Sequence, residues 1–226
     1  MVEPQPSIEL FGLVFHTPVT ALTDVIVAII CFEAYRRLSR PPSKGEVHQL
    51  FRYYFLTMSL ATFLGGVVGH ALMHYLPFFM KLPGWITSMF SVALLERALI
   101  QYARKYLNKS VGVFFSALNI VELLTFMILS FVTLNFQYVL IHAAYGIAIV
   151  VGGFGTFIYL RERSTGSRQM LLGVGACIVG ATFFQFQIGW SKWFNHVDIS
   201  HVFMMLASVL FYRGCRLLIV SSEVQE

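Results

Sequence analysis

The sequence predicts an all-α fold, a seven-transmembrane helical bundle with its N-terminus outside and its C-terminus in the cytoplasm. Three observations carry this. Hydrophobic residues make up 57% of the 226 and charged ones 12%, about half the charged fraction of a soluble domain and too little to cover a water-soluble surface. Seven apolar stretches are each long enough to cross about 30 Å of hydrocarbon at about 1.5 Å per residue. Lysine and arginine gather in alternate connections, 14 on one side against Lys81 and Lys192 on the other, and the basic side is the cytoplasmic one.

In chain order, residues 1–17 carry Ile8, Leu10, Phe11, Val14 and Phe15, too few to span, and read as an amphipathic segment at the outer interface. Glu3 and Glu9 stand where a signal peptide has basic residues, so no cleaved leader is expected. The transmembrane domain covers 18–218, with spans expected at 18–37, 53–75, 84–103, 112–132, 137–160, 169–189 and 198–218. Pro41-Pro42-Ser43-Lys44-Gly45 is the clearest soluble turn, and 219–226 form a cytoplasmic tail. Trp85, Trp190 and Trp193 all fall at the outer boundary, the depth at which indole rings settle. Glycines 65, 66 and 69, 152, 153 and 155, and 173, 175 and 180 are expected where helices approach closely.

Several function classes are excluded. The net charge of +5 is dispersed between apolar runs and does not form a basic face with interleaved aromatics, so no nucleic acid partner is expected. Cys31, Cys177 and Cys215 are isolated, without metal or redox spacing. No lysine lies inside a span, which removes a retinal Schiff base, and no Walker loop, His-Glu-x-x-His or Gly-x-Ser-x-Gly is present. Membrane lipids are the expected partners, with a second membrane protein or a second copy of the chain beside them. The expected location is a bacterial inner membrane, or a eukaryotic endomembrane or plasma membrane.

Polar groups inside the spans are the informative residues, because an ionisable group in hydrocarbon is costly unless paired or functional. His70, His142, His201 and Asp24 come to within roughly 5–8 Å of the outer boundary by helical rise, with His74, His196 and Asp198 slightly above. His70 and His74 share a face of helix 2 at i, i+4; Asp198 and His201 share one of helix 7 at i, i+3. Imidazoles and a carboxylate from several helices in one layer suit zinc, with interfacial histidines bonded to headgroups and loop carbonyls as the alternative. His70, His201, His196, His142 and His74 are the candidate ligands, and Asp198 and Asp24 the candidate catalytic carboxylates. Glu33 is expected to pair with Arg36 and Arg37, and Glu96 with Arg97 or Arg104. Glu122 has no local partner and either pairs across helices, stays protonated or lines a cavity.

Seven spans, an outside N-terminus, Gly65-Gly66-Val67-Val68-Gly69-His70-Ala71-Leu72 on helix 2 and Asn195-His196-Val197-Asp198-Ile199-Ser200-His201 at helix 7 together resemble the seven-transmembrane hydrolase superfamily. That superfamily includes the alkaline ceramidases, the progestin and adiponectin receptors and the Per1-type proteins. The resemblance covers nearly the whole chain and implies a zinc site built from a helix 2 His and a helix 7 His-x3-His pair, beside a helix 2 Ser and a helix 3 Asp. This chain departs from the pattern: Gly66 stands at the Ser position, the helix 7 histidines are five apart, and helix 3 has no Asp near its outer end.

Three functions are compatible with these residues. One is a zinc-dependent hydrolase of a lipid amide or ester at the outer leaflet, its acyl chain along Phe183, Phe184, Phe203, Met204 and Met205. Another is an electron-transfer protein with haem or another metal held by His70 and His201 or His142. The third is a noncatalytic bundle that binds another membrane protein.

Overall fold

A computed structural model describes residues 5–40, 42 and 45–223. Glu3, the turn residues Pro41, Ser43 and Lys44, and residues 224–226 of the expected tail lie outside the described residues. Among the described residues, seven helices are long and apolar enough to cross a membrane: α1 (Pro18–Ser39), α2 (Glu46–Ala71), α3 (Phe78–Tyr106), α4 (Lys109–Thr133), α5 (Gln137–Glu162), α6 (Thr165–Gln185) and α7 (His196–Val220). Such a set suggests a multi-pass integral membrane protein. Helices α1 and α7 begin at the same end of the bundle, its upper end.

Helix α2 begins seven residues before the apolar run does. Glu46 sits in its first turn, where a carboxylate favours the helix N-terminus. His48 is buried and its Nε2 contacts the Leu38 carbonyl at 2.8 Å, which ties this polar first turn to the end of α1. A hydropathy window sees only the apolar part. At the start of α7, Asn195 Oδ1 accepts from the Val197 and Asp198 amides at 2.8 and 3.4 Å, while Asp198 Oδ2 accepts from the Asn195 amide at 2.8 Å. This reciprocal capping box starts the helix at His196, two residues earlier than its apolar run.

The N-terminal segment is a β-hairpin, β1 (Ile8–Leu10) paired antiparallel with β2 (Leu13–Phe15) in the register Ile8↔Phe15 and Leu10↔Leu13. Phe11 and Gly12 both have positive φ, 54° and 75°, the two-residue turn whose twist suits a hairpin. The hairpin docks on the α2–α3 connection through the Val14 amide to Tyr75 Oη at 2.9 Å and the His16 amide to the Ala71 carbonyl at 3.1 Å.

Two helices are wound loosely at particular places. Residues Gly65–Ala71 of α2 and Tyr145–Val151 of α5 are π-helical, a rare winding that marks functional sites more often than chance allows. The core is built below the first of these, from Val27 and Cys31 of α1, Phe51 and Phe55 of α2, Leu95 and Leu99 of α3 and Phe211 and Cys215 of α7. Phe211 seats its ring against Gly173 of α6, where a Cβ would stand 2.5 Å from Cε1; this is the close approach expected of that glycine. Gly153 and Gly175 differ, since a Cβ at either would meet nothing within 4 Å.

Candidate functional site

Two polar clusters occupy the bundle. The upper one begins on α1, where Thr20, Thr23, Asp24 and Val27 follow the i, i+3, i+4, i+7 spacing of one helix face and are all buried. Each of the three polar residues meets a different partner. Thr20 donates to Asp198 Oδ1 at 2.7 Å. Thr23 donates its hydroxyl proton to the Thr20 carbonyl at 2.9 Å, and His201 Nδ1 lies 2.8 Å from the same hydroxyl oxygen. That oxygen therefore accepts from His201 Nδ1–H, and the neutral imidazole presents the Nε2 lone pair to Asp24 Oδ1 at 3.4 Å.

His70 reaches the other oxygen of Asp24. Its Nε2 is 3.9 Å from Asp24 Oδ2, and its Nδ1 is 3.2 Å from Thr17 Oγ1. The π run of α2 carries His70, and Gly65 and Gly66 let it lie against Asp24. A Cβ at 65 would stand 3.1 Å from Asp24 Oδ2, and one at 66 would stand 2.8 Å from the Ala21 carbonyl. Thr17 has φ 39° and ψ 57°, a left-handed conformation that costs a β-branched residue about 1–3 kcal/mol and accumulates at functional sites.

Asp24 is only 5% exposed, yet among the described residues no group donates a hydrogen bond to it. Its oxygens face the two imidazole nitrogens instead. Tetrahedral donors about 2.0–2.2 Å from a zinc ion lie about 3.3–3.6 Å from one another. The two contacts here are to different oxygens, His201 on Oδ1 at 3.4 Å and His70 on Oδ2 at 3.9 Å, and the three side chains do not bring one donor atom each within 4.8 Å of one another as Glu96, Glu122 and His142 do. Threonine partners on the far ring nitrogens are the outer-shell arrangement that fixes a ligating imidazole. In donor type, two imidazoles and a carboxylate are a set that zinc takes.

Asp198, 0% exposed, does different work. Its oxygens accept from Thr20, from the Asn195 amide and from Gln5 Nε2 at 3.0 Å. Gln5 also donates to the Trp193 carbonyl at 2.8 Å and accepts from the Val19 and Thr20 amides at 3.0 and 3.2 Å. Asp198 and Gln5 thus clamp the N-terminal segment, α1 and α7 together. His74 is exposed in the turn after α2, its ring 5.4 Å from that of His16, and His196 packs on Phe184 at 5.7 Å. Neither joins Asp24. Sequence reasoning does not single out Thr17, Thr20, Thr23 or Gln5; the threonine spacing around Asp24 is the one signal it offers.

His142 belongs to the second cluster, with Glu96 of α3 and Glu122 of α4. One ligating atom from each of the three lies within 4.8 Å of the others, and all three are buried. This group could hold a metal ion, and it is a different set from the ligands expected at the outer boundary. His142 Nε2 is 2.9 Å from the Met89 carbonyl, which only accepts, so Nε2 carries a hydrogen and Nδ1 faces Glu122 at 2.7 and 2.9 Å. Glu122 thus pairs across helices. Glu96 accepts from Asn119 Nδ2 at 3.0 Å and pairs with neither expected arginine: Arg97 donates to the Ser116 carbonyl and Arg104 to Gln101. Glu33 does bind Arg36 and Arg37, each at 2.7 Å.

With the two clusters in place, comparison with known proteins gives one relationship. The chain belongs to DUF6962, a family of unknown function, whose model matches residues 19–219. The match takes in every carboxylate and histidine of both clusters and leaves out Gln5 and Thr17. No curated protein and no solved structure matches the chain.

Proposed function

We propose that this DUF6962 member is a membrane-embedded, zinc-dependent hydrolase of a lipid amide or ester, with Asp24, His70 and His201 as ligands and the upper end outside. The observation that carries the reading is Asp24, a buried carboxylate without a hydrogen-bond donor and faced by two oriented imidazole nitrogens. The resemblance to the seven-transmembrane hydrolases supports it, as does the positive-inside charge pattern.

Bound zinc would polarise a carbonyl and lower the pKa of water to about 7. The remaining work falls to the chain. Thr23 and Thr17 hold the two imidazoles so that neither must reorient during reaction. Asp24 would give one carboxylate oxygen to the metal and keep the other directed into the site as a hydrogen-bond acceptor. Asp198, fully engaged, holds α1 and α7 at fixed separation. An apolar groove of about 400 Å³ between α1 and α2, lined by Val25, Ile29, Phe32, Leu60 and Phe63, is a berth for an acyl chain. The α6–α7 wall expected from sequence is a second berth, where Phe183 and Phe203 stack on each other with centroids 5.6 Å apart.

The test is zinc-loaded protein in detergent, incubated with a panel of ceramides and acyl esters. Fatty acid release by the wild type that Asp24→Asn and His201→Ala abolish is the expected result. Release from no substrate by zinc-loaded wild type would overturn the hydrolase reading.

A further inference from the structure

The proposed hydrolase site makes no use of Glu96, Glu122 and His142, which lie deeper in the bundle. Glu96 and His142 are fully buried, and Glu96 Oε1 has no hydrogen-bond partner. Gly146, in the π run of α5, leaves the space for that oxygen, since a Cβ there would stand 2.3 Å from it. An acceptor sealed from water without a donor is costly, and more so when charged.

His142 is arranged as a metal ligand. Its Nε2–H is bonded to the Met89 carbonyl, the outer-shell contact that fixes ring orientation in metal sites, and this leaves Nδ1 directed at the Glu122 carboxylate, 2.7 and 2.9 Å from its two oxygens. Asn119 orients Glu96 in the same way through Oε2 and is itself anchored on the Ala93 carbonyl at 3.2 Å. The donor set is one imidazole nitrogen and two carboxylates. The nitrogen selects against magnesium and calcium, which take oxygen ligands, and in favour of the divalent first-row transition metals. Two carboxylates also neutralise a divalent cation, so the complete assembly carries no net charge into a low-dielectric interior.

A cavity of about 340 Å³ adjoins the cluster. Glu96, Asn119 and Tyr145 line it together with Phe115, Ile149 and Phe154. Three protein ligands beside an unfilled space is the arrangement of a site that keeps a coordination position open for a further ligand.

We propose that Glu96, Glu122 and His142 form a second divalent transition-metal site, independent of Asp24, whose open position faces the cavity between α3, α4 and α5. The site takes zinc or cobalt(II), and its cavity admits an apolar molecule with one oxygen donor.

The experiment is zinc content per chain, measured on detergent-purified protein equilibrated with zinc and freed of loosely held metal. Glu122→Gln and Glu96→Gln preserve side-chain shape, and each should hold one zinc fewer than its parent. In Asp24→Asn, one zinc should remain, and adding Glu122→Gln should remove it. If the hydrolase reading alone fails, the wild type holds one zinc that Asp24→Asn leaves in place and Glu122→Gln removes. Zinc content unchanged by both glutamine variants overturns the second site, as does an Asp24→Asn chain without zinc. Cobalt(II) titration of the wild type and of Asp24→Asn, followed by visible absorption, supplies a second readout. A component that persists when the upper site is blocked is expected, and saturation at a single equivalent that Asp24→Asn abolishes overturns the proposal.

Discussion

Gly66 lies so close to Ala21 that any Cβ at position 66 would stand 2.8 Å from the Ala21 carbonyl oxygen and 3.0 Å from Asp24 Cβ. The contact requires glycine at this position, because α1 occupies the space of a side chain. Gly66→Ser should therefore be resisted by the packing. It should separate α1 from α2, at about 1–3 kcal/mol for overpacking, and weaken zinc binding at the displaced Asp24. Thermal melts in detergent check this, and an unchanged melting temperature would mean the helices stand further apart.

Zinc removal should lower the melting temperature of the wild type by more than that of His70→Ala. A ligand at a hundred times its dissociation constant adds about 2.7 kcal/mol to the folded state, and only the wild type has the upper site to lose. Equal drops on chelation would deny His70 a role as ligand.

Thr23→Val keeps the β-branched shape but removes the oxygen that fixes His201 Nδ1. The expected effect is about 10–100-fold weaker zinc binding at the upper site, with Thr23→Ser close to wild type. Competitive titration against a chromophoric chelator measures it. Undiminished affinity in Thr23→Val would show that His201 is oriented by packing alone.

Thr17 offers the reverse. Thr17→Gly relieves a left-handed β-branched residue and should raise stability by up to about 1 kcal/mol. It also releases His70 Nδ1, so zinc affinity should fall. A variant less stable than wild type would place the value of Thr17 in folding.

Asp198→Asn should behave unlike Asp24→Asn. It breaks contacts to Gln5, Thr20 and the Asn195 amide without touching a proposed ligand. The N-terminal hairpin should become sensitive to protease and stability should fall by about 1–3 kcal/mol, read from thermal melts, while zinc stoichiometry holds. Lost zinc with an intact hairpin would return Asp198 to the site.

The seven helices are legible in the sequence because length and apolarity are properties of single segments, as is the Glu33 pair, which is local. The start of α2 is not, because the turns around Glu46 and His48 owe their place to the Leu38 carbonyl, a contact between helices. The hairpin is hidden by its shortness, although Phe11-Gly12 is a turn signal. His70, His201 and Asp24 can be gathered by depth alone. Depth also groups His142 with them, but it carries no information on which side of the bundle a residue faces. Glu122 and Glu96 find their partners on other helices, and no spacing rule reaches across helices.

The π runs of α2 and α5 have a consequence for how these clusters persist. Each run accommodates more backbone per turn than an α-helix, so it acts as a phase joint between two lengths of regular winding. Removing one residue from such a joint, Val68 for example, would let the segment rewind as α-helix while the lengths on either side keep their register. Only the residues inside the run would shift, His70 among them. The same holds between Tyr145 and Val151, where His142 would keep its register with the lower half of its helix. A deletion in the regular part of either helix would instead turn everything beyond it by about 100° and draw it back by about 1.5 Å. The surplus residue of each joint thus serves the placement of the few side chains within it, and its loss would leave the rest of the bundle standing.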